Sequence, residues 1–277
     1  MGEPATRTRE ERRRVLMCPP AHYEITDDNP WTPEDPETDR DAAMAEWETL
    51  RRTYEGFGHQ VEIVDPRPGL TQMVFAANGA LAIERRAFVA RFNSAERAGE
   101  RRAHEAWFRD AGYEVRLSQA TSEGEGDFLL TEEYILAGTG FRTDREAHFE
   151  AQQFFARPVV GLQLIDEKFY HLDTALCVID GITVAYYPKA FSPDSRRMLE
   201  RLFPDAIIAT DHDAHQLGLN AWSDGRHVVI HGTADDLCRQ LADRGYEPVP
   251  IDMPQLQQGG GGPKCCTMGL FEQVPGH

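Results

Sequence analysis

The sequence lacks the cysteine pattern of a disulfide-rich or zinc-binding protein. It has five cysteines in 277 residues, and none of them forms a CxxC pair or a Cys/His set with the spacing of metal ligands. Reduced thiols in a cytoplasmic protein are therefore expected. No apolar run approaches the roughly 18 residues that a membrane helix needs, so we expect no membrane association. The polar, arginine-rich residues 1–14 lack the apolar segment of a secretory signal, and we interpret them as a disordered leader.

The sequence is also short of basic residues. It has 29 basic and 46 acidic side chains, and its formal net charge is −17. Nucleic-acid binding requires a basic face, so this class of partner is disfavoured. An acidic chain is compatible with a small cationic ligand, although most such charge is solvated surface. With 41% hydrophobic residues, the chain can bury a core, which excludes wholesale disorder.

Helical and strand patterns alternate along the chain, and no proline- or serine-rich linker divides them. Three charged amphipathic segments each end at a glycine and lead into a strand pattern, namely residues 39–56, 95–111 and 234–244. This recurrence indicates a repeated helix–glycine–strand unit, with chance recurrence in an unrelated α/β protein as the alternative. Asp180-Gly181, between two apolar runs, predicts a two-residue hairpin turn. We interpret residues 15–277 as one α/β domain.

Several polar motifs follow strand patterns, which is where α/β folds place reactive groups. They contain Asn78, Glu123, His171 with Asp173, and Cys265. A lone cysteine or histidine is more often structural than catalytic. Together, however, a thiol, an imidazole and a carboxylate form the set that nucleophilic cysteine catalysis needs. If their segment is extended, His171 and Asp173 lie on the same face.

Four consecutive glycines precede Cys265. The run Gly259–Gly262 is compatible with a linker, or with a backbone that approaches a ligand closely. A phosphate-binding loop is rejected, because Lys264 follows Pro263 rather than glycine, and Cys265 stands where such a loop has serine or threonine.

The order and spacing of the motifs resemble the guanidine-modifying, or pentein, superfamily. The sequence is most similar to its branch of arginine dihydrolases and dimethylarginine dimethylaminohydrolase-like amidinotransferases. The resemblance covers residues 17 to about 270 and rests on these motifs: Met17-Cys18-Pro19-Pro20-x-His22-Tyr23, Asn29-Pro30-Trp31, Phe75-x-Ala77-Asn78, Ala90-Arg91-Phe92, Glu123-Gly124-x-Gly126-Asp127, Gly138-x-Gly140-Phe141-Arg142, Phe169-Tyr170-His171-Leu172-Asp173-Thr174, Asn220-Ala221 and Lys264-Cys265-x-Thr267.

The resemblance implies a five-bladed α/β propeller of ββαβ modules around a central site. It also implies a catalytic set, in which Cys265 is the nucleophile, His171 the general acid and base, and Glu123 the carboxylate that orients the imidazole. No metal or other cofactor is implied.

The resemblance further implies a set of substrate-binding residues. Asn78 and Asp173 match positions that hold the guanidinium, and the Asn78 carbonyl is expected to accept from one edge of it. Arg142 and, less securely, Arg91 match residues near the substrate carboxylate. Asn29 matches a loop that borders the site.

The function implied is hydrolysis of a C–N bond in the guanidino group of arginine, through a covalent thiouronium on the cysteine. The products would be citrulline or ornithine, together with ammonia. Asn78 favours the dihydrolase branch, since an amide holds a neutral ureido group without burying an unpaired charge. Hydrolysis of methylated arginine, amidino transfer to an amine, and a non-catalytic arginine-binding protein are the alternatives, and a homo-oligomer is left open.

A metal-dependent ureohydrolase is a chemical rival. The segment Asp211-His212-Asp213-Ala214-His215 superficially resembles the metal ligands of arginases. Leu217 breaks their pattern and the paired downstream aspartates are absent, so a charged surface segment is the better interpretation.

Three departures from the family pattern flank the expected pocket. Gly79-Ala80 reverses the usual order of alanine and glycine after the asparagine, Glu125 replaces a small residue, and Cys266 replaces an aliphatic one.

Overall fold

The computed structural model describes residues 12–26 and 29–272, and these residues form fifteen strands and nine α-helices. The strands are β1 (Arg14–Met17), β2 (Gln60–Ile63), β3 (Ala80–Ile83), β4 (Arg86–Val89), β5 (Glu114–Leu117), β6 (Phe128–Leu130), β7 (Ile135–Thr139), β8 (Val159–Gln163), β9 (Leu176–Val178), β10 (Val184–Tyr186), β11 (Ile207–Ile208), β12 (Trp222–Ser223), β13 (His227–His231), β14 (Glu247–Ile251) and β15 (Met268–Phe271). The helices are α1 (Arg40–Gly56), α2 (Glu100–Asp110), α3 (Gly124–Asp127), α4 (Arg145–Phe155), α5 (Leu172–Ala175), α6 (Pro193–Leu202), α7 (Asp211–His215), α8 (Asp235–Asp243) and α9 (Pro254–Gln258).

The strands form five triplets with one pairing pattern. In each triplet an antiparallel pair is followed by a parallel pair, and a helix crosses between the two parallel strands. The helices that cross are α1, α2, α4, α6 and α8. Two triplets join through β15 and β3 into a six-stranded sheet of order β2-β1-β15-β3-β4-β5, and the other three are separate sheets. The α/β class is therefore confirmed, and the repeat seen in the sequence is a repeat of structure.

The C-terminal strand completes the N-terminal triplet. Strand β15 pairs antiparallel with β1 and parallel with β3. The two ends of the described chain therefore meet in one sheet. Residues 1–11 of the predicted leader lie outside the described residues, whereas Arg14 already belongs to β1.

Helix α1 has the bounds expected of its amphipathic pattern. Asp39 caps its first turn by accepting the backbone N–H of Ala42 at 2.9 Å. The side chains that face the core are buried and recur three or four residues apart, namely Ala43, Trp47, Leu50 and Tyr54. None of the helices in the described ranges is long and apolar enough to cross a membrane.

Two local predictions are wrong. Helix α2 begins at Glu100 rather than near residue 95, because residues 95–99 form turns that carry Arg97 into the interior. The hairpin between β9 and β10 is wider than two residues, since Ile179 donates its backbone N–H to Thr183. The Asp180 carboxylate accepts two backbone N–H groups inside this loop and stabilises the wider turn.

A turn or a short helix precedes the first strand of every triplet. These five segments carry the polar residues that the sequence motifs singled out: Asn78 before β3, Glu123 at the start of α3 before β6, His171 and Asp173 at α5 before β9, Asn220 before β12, and Cys265 before β15. The equivalent position in each repeat therefore supplies one part of a shared site.

The glycines that end the repeated helices adopt left-handed backbone. Their φ values are positive, +83° at Gly58, +78° at Gly112 and +86° at Gly245. Residues with a side chain pay a conformational cost in this region, and glycine does not. Glycine thus suits the reversal from helix to strand after α1, α2 and α8, whereas α4 uses Ala156 at φ +52° for the same reversal.

We expect Gly245→Ala to lower the free energy of unfolding by about 1 kcal/mol, because an added Cβ meets no atom there and only the backbone is strained. Gly56→Ala is the matched control, since Gly56 ends α1 without a positive φ and also has open space around it. Urea unfolding of both variants measures the difference. Equal stability of the two would contradict the backbone explanation.

Candidate active site

Cys265 lies in the interior, beside a carboxylate and an amide. Its Sγ donates to Asp173 Oδ2 at 3.2 Å, and Asn220 Nδ2 donates to Sγ at 3.1 Å. Burial, together with the charge of Asp173, raises the pKa of the Cys265 thiol well above its usual range. Without a ligand, Cys265 is therefore a neutral thiol that donates to a carboxylate.

Asn220 organises the loop that carries this thiol. Its Oδ1 accepts the backbone N–H groups of Gly262 at 2.8 Å and Cys265 at 3.1 Å. Its Nδ2 also donates to the Asp173 carbonyl at 3.2 Å. In the sequence, Asn220 stands out only as part of the Asn220-Ala221 motif, which implies no role for it. Its position could have revealed it. Asn220 lies just before β12, the first strand of its triplet, as the other site residues lie just before the first strands of theirs.

His171 and Glu123 form a buried pair. The Nε2 atom of His171 lies 2.6 Å from Glu123 Oε2, and Glu123 Oε1 accepts the backbone N–H of Asn93 at 3.0 Å. Burial alone would raise the pKa of Glu123, but the hydrogen bond and the charges of His171, Arg142 and Arg97 lower it to about 2. Glu123 is therefore a carboxylate that fixes the imidazole.

The other ring nitrogen of His171 is open. Nδ1 is buried and has no hydrogen-bond partner among residues 12–26 and 29–272. A Cβ built on Gly126 would lie 3.3 Å from Nδ1, so the glycine leaves room beside it. This nitrogen is the one available to take and return a proton.

The expected extended segment from His171 to Asp173 is not present. Helix α5 begins at Leu172, whose backbone N–H is accepted by Asp127 Oδ1 at 3.0 Å. The hydroxyl of Thr174 donates to the His171 carbonyl at 2.7 Å and completes the turn. His171 and Asp173 consequently point to different partners, one to Glu123 and the other to Cys265.

Asp173 combines burial with an unused acceptor. The side chain is inaccessible to solvent, and within the described chain its Oδ1 has no hydrogen-bond partner. Burial raises the pKa of Asp173 to about 6, against the opposing charge of Lys264. A buried carboxylate with a free oxygen is suited to a planar cationic donor.

The side-chain amide of Asn78 is oriented opposite to the expectation that its carbonyl faces the site. Its Oδ1 accepts from Arg97 Nη1 at 2.9 Å, and Arg97 is held by a buried ion pair with Glu100, also at 2.9 Å. Arginine can only donate, so this contact sets which end of the amide faces the site. Nδ2 is buried and has no partner in the described ranges. The open group of Asn78 is thus a donor rather than the expected carbonyl.

Arg91 is not among the residues that line this pocket, and its place near a substrate carboxylate stays a prediction. It is exposed, its backbone pairs with Ser122 and its guanidinium donates to the Gln119 carbonyl. Arg97, which the sequence analysis missed, is buried and lines the pocket instead. Only the tertiary fold separates the two, because the turns at 95–99 redirect the chain inward.

Arg142 and Asn29 do line the pocket, as expected. The Arg142 guanidinium lies over the Tyr170 ring, 4.5 Å from its centre, and 3.6 Å from Glu123. Asn29 donates to the Gly259 carbonyl at 3.2 Å and so joins its loop to the glycine run. The cavity is only about 10 Å³ in volume, which is less than an arginine side chain needs. An arginine side chain therefore does not fit this pocket in the conformation described.

The reversed Gly79-Ala80 order has a steric cause. A Cβ on Gly79 would lie 2.3 Å from the His104 ring, which is fully buried. The departure at Cys266 is also fully buried and packs with apolar side chains that include Tyr23 and Tyr54, so Cys266 acts as a small hydrophobic residue.

Among the described residues, no three His, Cys, Asp or Glu side chains come together to hold a metal ion. The arginase-like segment forms α7, and its carboxylates diverge. Asp211 pairs with Lys189 at the surface, whereas Asp213 is buried and accepts the backbone N–H of Leu237.

Comparison with models of protein families finds no match. The chain is 46% identical over 269 residues to N(G),N(G)-dimethylarginine dimethylaminohydrolase of Mycobacterium tuberculosis, covering 97% of this chain and 89% of that protein. It is 34% identical over 269 residues to the bifunctional arginine dihydrolase/ornithine cyclodeaminase ArgZ of Synechocystis sp., covering 94% of this chain but 38% of that protein. The solved N-terminal domain of ArgZ, covalently bound to a reaction intermediate, matches with a TM-score of 0.90 at 32% identity, over 94% of this chain and 98% of that domain.

The α/β repeats and the buried cysteine, histidine and carboxylates define a hydrolase of guanidino C–N bonds. The chain belongs to the pentein superfamily, in the branch of dimethylarginine dimethylaminohydrolase and arginine dihydrolase.

We expect Gly79→Ala to lower the free energy of unfolding by about 2 kcal/mol, because the methyl group overpacks against His104. His104→Ala removes the obstructing ring, so the double variant should lose at least about 1 kcal/mol less than the sum of the single losses. Urea unfolding of all four proteins gives this coupling. Additive losses would exclude the steric explanation.

Proposed function

We propose that the protein hydrolyses the unsubstituted guanidino group of L-arginine, with Cys265 as nucleophile. The observation that carries the proposal is the buried contact between Cys265 Sγ and Asp173 Oδ2, at 3.2 Å. A guanidinium hydrogen-bonded to Asp173 has its central carbon beside the sulfur. Its positive charge replaces the thiol proton as the partner of Asp173, and this favours the thiolate.

The first half of the reaction forms a covalent intermediate. The Cys265 thiol gives its proton to Nδ1 of His171, and the resulting thiolate attacks the guanidinium carbon to give a tetrahedral adduct. One C–N bond then breaks, and the leaving nitrogen takes a proton from His171 and departs as ammonia. The carbon remains bonded to sulfur as a thiouronium. Glu123 keeps the imidazole oriented throughout, through the contact of 2.6 Å at Nε2.

The second half of the reaction uses water. His171 takes a proton from the water, and the oxygen attacks the thiouronium carbon. The C–S bond breaks and returns the electron pair to Cys265, which takes back the proton from His171. Citrulline is released, and the second proton of the water is taken up by the ammonia. The net change is arginine plus water to citrulline plus ammonia, and none of these steps uses a metal or an organic cofactor.

The open amide of Asn78 supports a second round of hydrolysis. Nδ2 faces the site as a donor because Arg97 holds the other end of the amide. A donor cannot bind a guanidinium edge, but it suits the ureido oxygen of citrulline. Attack on citrulline followed by hydrolysis would give ornithine, a further ammonia and carbon dioxide. We therefore favour dihydrolase activity over arrest at citrulline.

The substrate carboxylate is assigned to the arginine-rich side of the pocket. Arg142 and Arg97 both line it, with Asn29 on the bordering loop. A fork of guanidinium donors is the usual protein partner of a carboxylate. The guanidinium of Arg97 already donates to Glu100 and Asn78, so Arg142 is the arginine assigned to this role.

Methylated arginine is the second candidate substrate. The observation in its favour is the 46% identity to a protein named dimethylarginine dimethylaminohydrolase. The pocket of about 10 Å³ is too small for either substrate in this conformation, so the product assay below decides between them.

We also propose that the five strand triplets close into a five-bladed propeller and act as a single catalytic domain over residues 15–277. The pairing of β15 with both β1 and β3 supports this closure, since it joins the last strand to the first two triplets.

Cys265→Ser should abolish ammonia release from arginine while the circular dichroism spectrum stays unchanged, since a hydroxyl is a far weaker nucleophile. The same assay with citrulline, monomethylarginine, dimethylarginine and agmatine, with products identified by mass, ranks the substrates. Cys266→Ser is the matched control and should retain turnover. Undiminished ammonia release by Cys265→Ser would overturn the mechanism.

The ionisation of Asp173 should set the acid limb of the pH profile. Its pKa is raised by burial to about 6, and only the ionised form can bind a guanidinium. Thus kcat/KM for arginine should fall about tenfold per pH unit below this value and level off above it. A profile that stays flat between about pH 5 and 7 would rule out this role of Asp173.

A further inference from the structure

A buried ion pair lies directly behind the nucleophile. Lys264 Nζ donates to Glu125 Oε2 at 2.6 Å and to the Thr267 carbonyl at 3.3 Å. Glu125 also accepts the backbone N–H of Gly269 at 3.0 Å. The two charged side chains are 13% and 2% exposed, respectively. The pair therefore ties α3 to the loop that carries Cys265.

This pair does not belong to the substrate pocket itself. Lys264 and Glu125 line a separate cavity of about 780 Å³, whereas Cys265 lines the small pocket described above. The backbone between Lys264 and Cys265 thus passes between two cavities. Any effect of the pair on the substrate must act through another residue.

Asp173 is the third member of this charge cluster. Burial raises the pKa of Asp173, and the charge of Lys264 opposes that rise. Burial likewise raises the pKa of Glu125, Lys264 lowers it, and Asp173 raises it further. The titratable groups that interact with the Asp173 carboxylate come from several elements: Lys264, Cys265 and Cys266 on the nucleophile loop, Glu125 on α3, Cys177 on β9 and Tyr170 before α5.

The charges of this cluster do not cancel. When both carboxylates are ionised, Asp173 and Glu125 carry two negative charges and Lys264 carries one positive charge. The cluster then has one net negative charge beside the nucleophile. If residue 125 were neutral, Lys264 would balance Asp173 alone. The carboxylate of Glu125 is therefore the source of the excess negative charge, although it contacts Lys264 rather than the pocket.

We infer that Glu125 is a specificity-determining positioning residue: by pairing with Lys264 it leaves Asp173 with uncompensated negative charge, which selects a cationic guanidino group over a neutral ureido group. The inference rests on the proposed function, since it concerns the same pocket. A guanidinium restores neutrality to the cluster, and a ureido group does not. Glu125 thereby favours the first hydrolytic step over the second.

Glu125→Gln tests this selection, because it removes the charge and keeps an acceptor for Gly269. The ratio of kcat/KM for arginine to kcat/KM for citrulline should fall about tenfold. If citrulline is not turned over, its inhibition constant replaces its kcat/KM. The acid limb for arginine should also move to lower pH, since the freed charge of Lys264 then stabilises ionised Asp173. Lys264→Met should move this limb to higher pH.

Alkylation of Cys265 gives a readout that needs no turnover. At one pH, iodoacetamide should modify the Cys265 peptide faster in Glu125→Gln, because loss of a negative charge raises the thiolate fraction of Cys265. Modification should be slower in Lys264→Met, because loss of a positive charge lowers that fraction. A merely loosened pocket would speed both. This readout separates the inference from the proposed function, since arginine that is not hydrolysed would leave the alkylation result intact.

Asp211→Asn and Lys189→Met are the matched controls. They remove the same charges from an exposed pair at 2.6 Å and should leave the substrate ratio and the alkylation rate unchanged. The inference is overturned if the arginine-to-citrulline ratio of Glu125→Gln stays within about twofold of the parent, or if both buried-pair variants change the alkylation rate in the same direction. If Lys264→Met does not fold, Glu125→Gln alone still gives a decisive direction.

Discussion

The contact between Cys265 and Asp173 is the constraint on which the rest of the site depends. A thiol and a carboxylate are buried together, 3.2 Å apart, and neither is easily ionised there without a positive charge nearby. The resting site therefore holds a neutral thiol and an acceptor with one free oxygen. A cationic ligand resolves both problems at once, because it pairs with the carboxylate and favours the thiolate. Under the proposed mechanism, binding of a guanidinium is therefore what activates the nucleophile.

Two hydrogen-bonding side chains hold this unfavourable arrangement in place. Asn220 accepts the backbone N–H groups of Gly262 and Cys265 and donates to the carbonyl of Asp173, so it links the nucleophile loop to its carboxylate. Asp127 starts α5 and thereby turns Asp173 away from His171. The proton-transfer pair of His171 and Glu123 stays separate from the binding carboxylate, which lets the two carboxylates have different ionisation behaviour. The pKa of Glu123 is lowered to about 2, whereas that of Asp173 is raised to about 6.

Sequence patterns predicted the local elements well and the inward-facing residues less well. The bounds of α1, the reversal at each helix-ending glycine and the α/β class follow from hydrophobic periodicity and from the conformational freedom of glycine. Family motifs predicted Cys265, His171, Glu123, Asp173, Asn78 and Arg142 as members of one site, and all of them lie around it. The same motifs indicated Arg91 and missed Arg97 and Asn220. Periodicity could not separate the arginines, because turns at 95–99 interrupt it and redirect the chain.

The sequence by itself determined which chemical groups the protein has: one thiol after a glycine run, an imidazole, two carboxylates and several arginines, on a repeated helix–glycine–strand framework. Tertiary structure alone decided how those groups are paired. Asn78 presents its donor because Arg97, brought inward by a turn, binds its carbonyl. Lys264 pairs with Glu125, 139 residues away in the chain, rather than with Asp173. These pairings depend on which repeats are neighbours in space. Burial makes each pairing strong, because a charge in the interior has few alternative partners and little water to take their place.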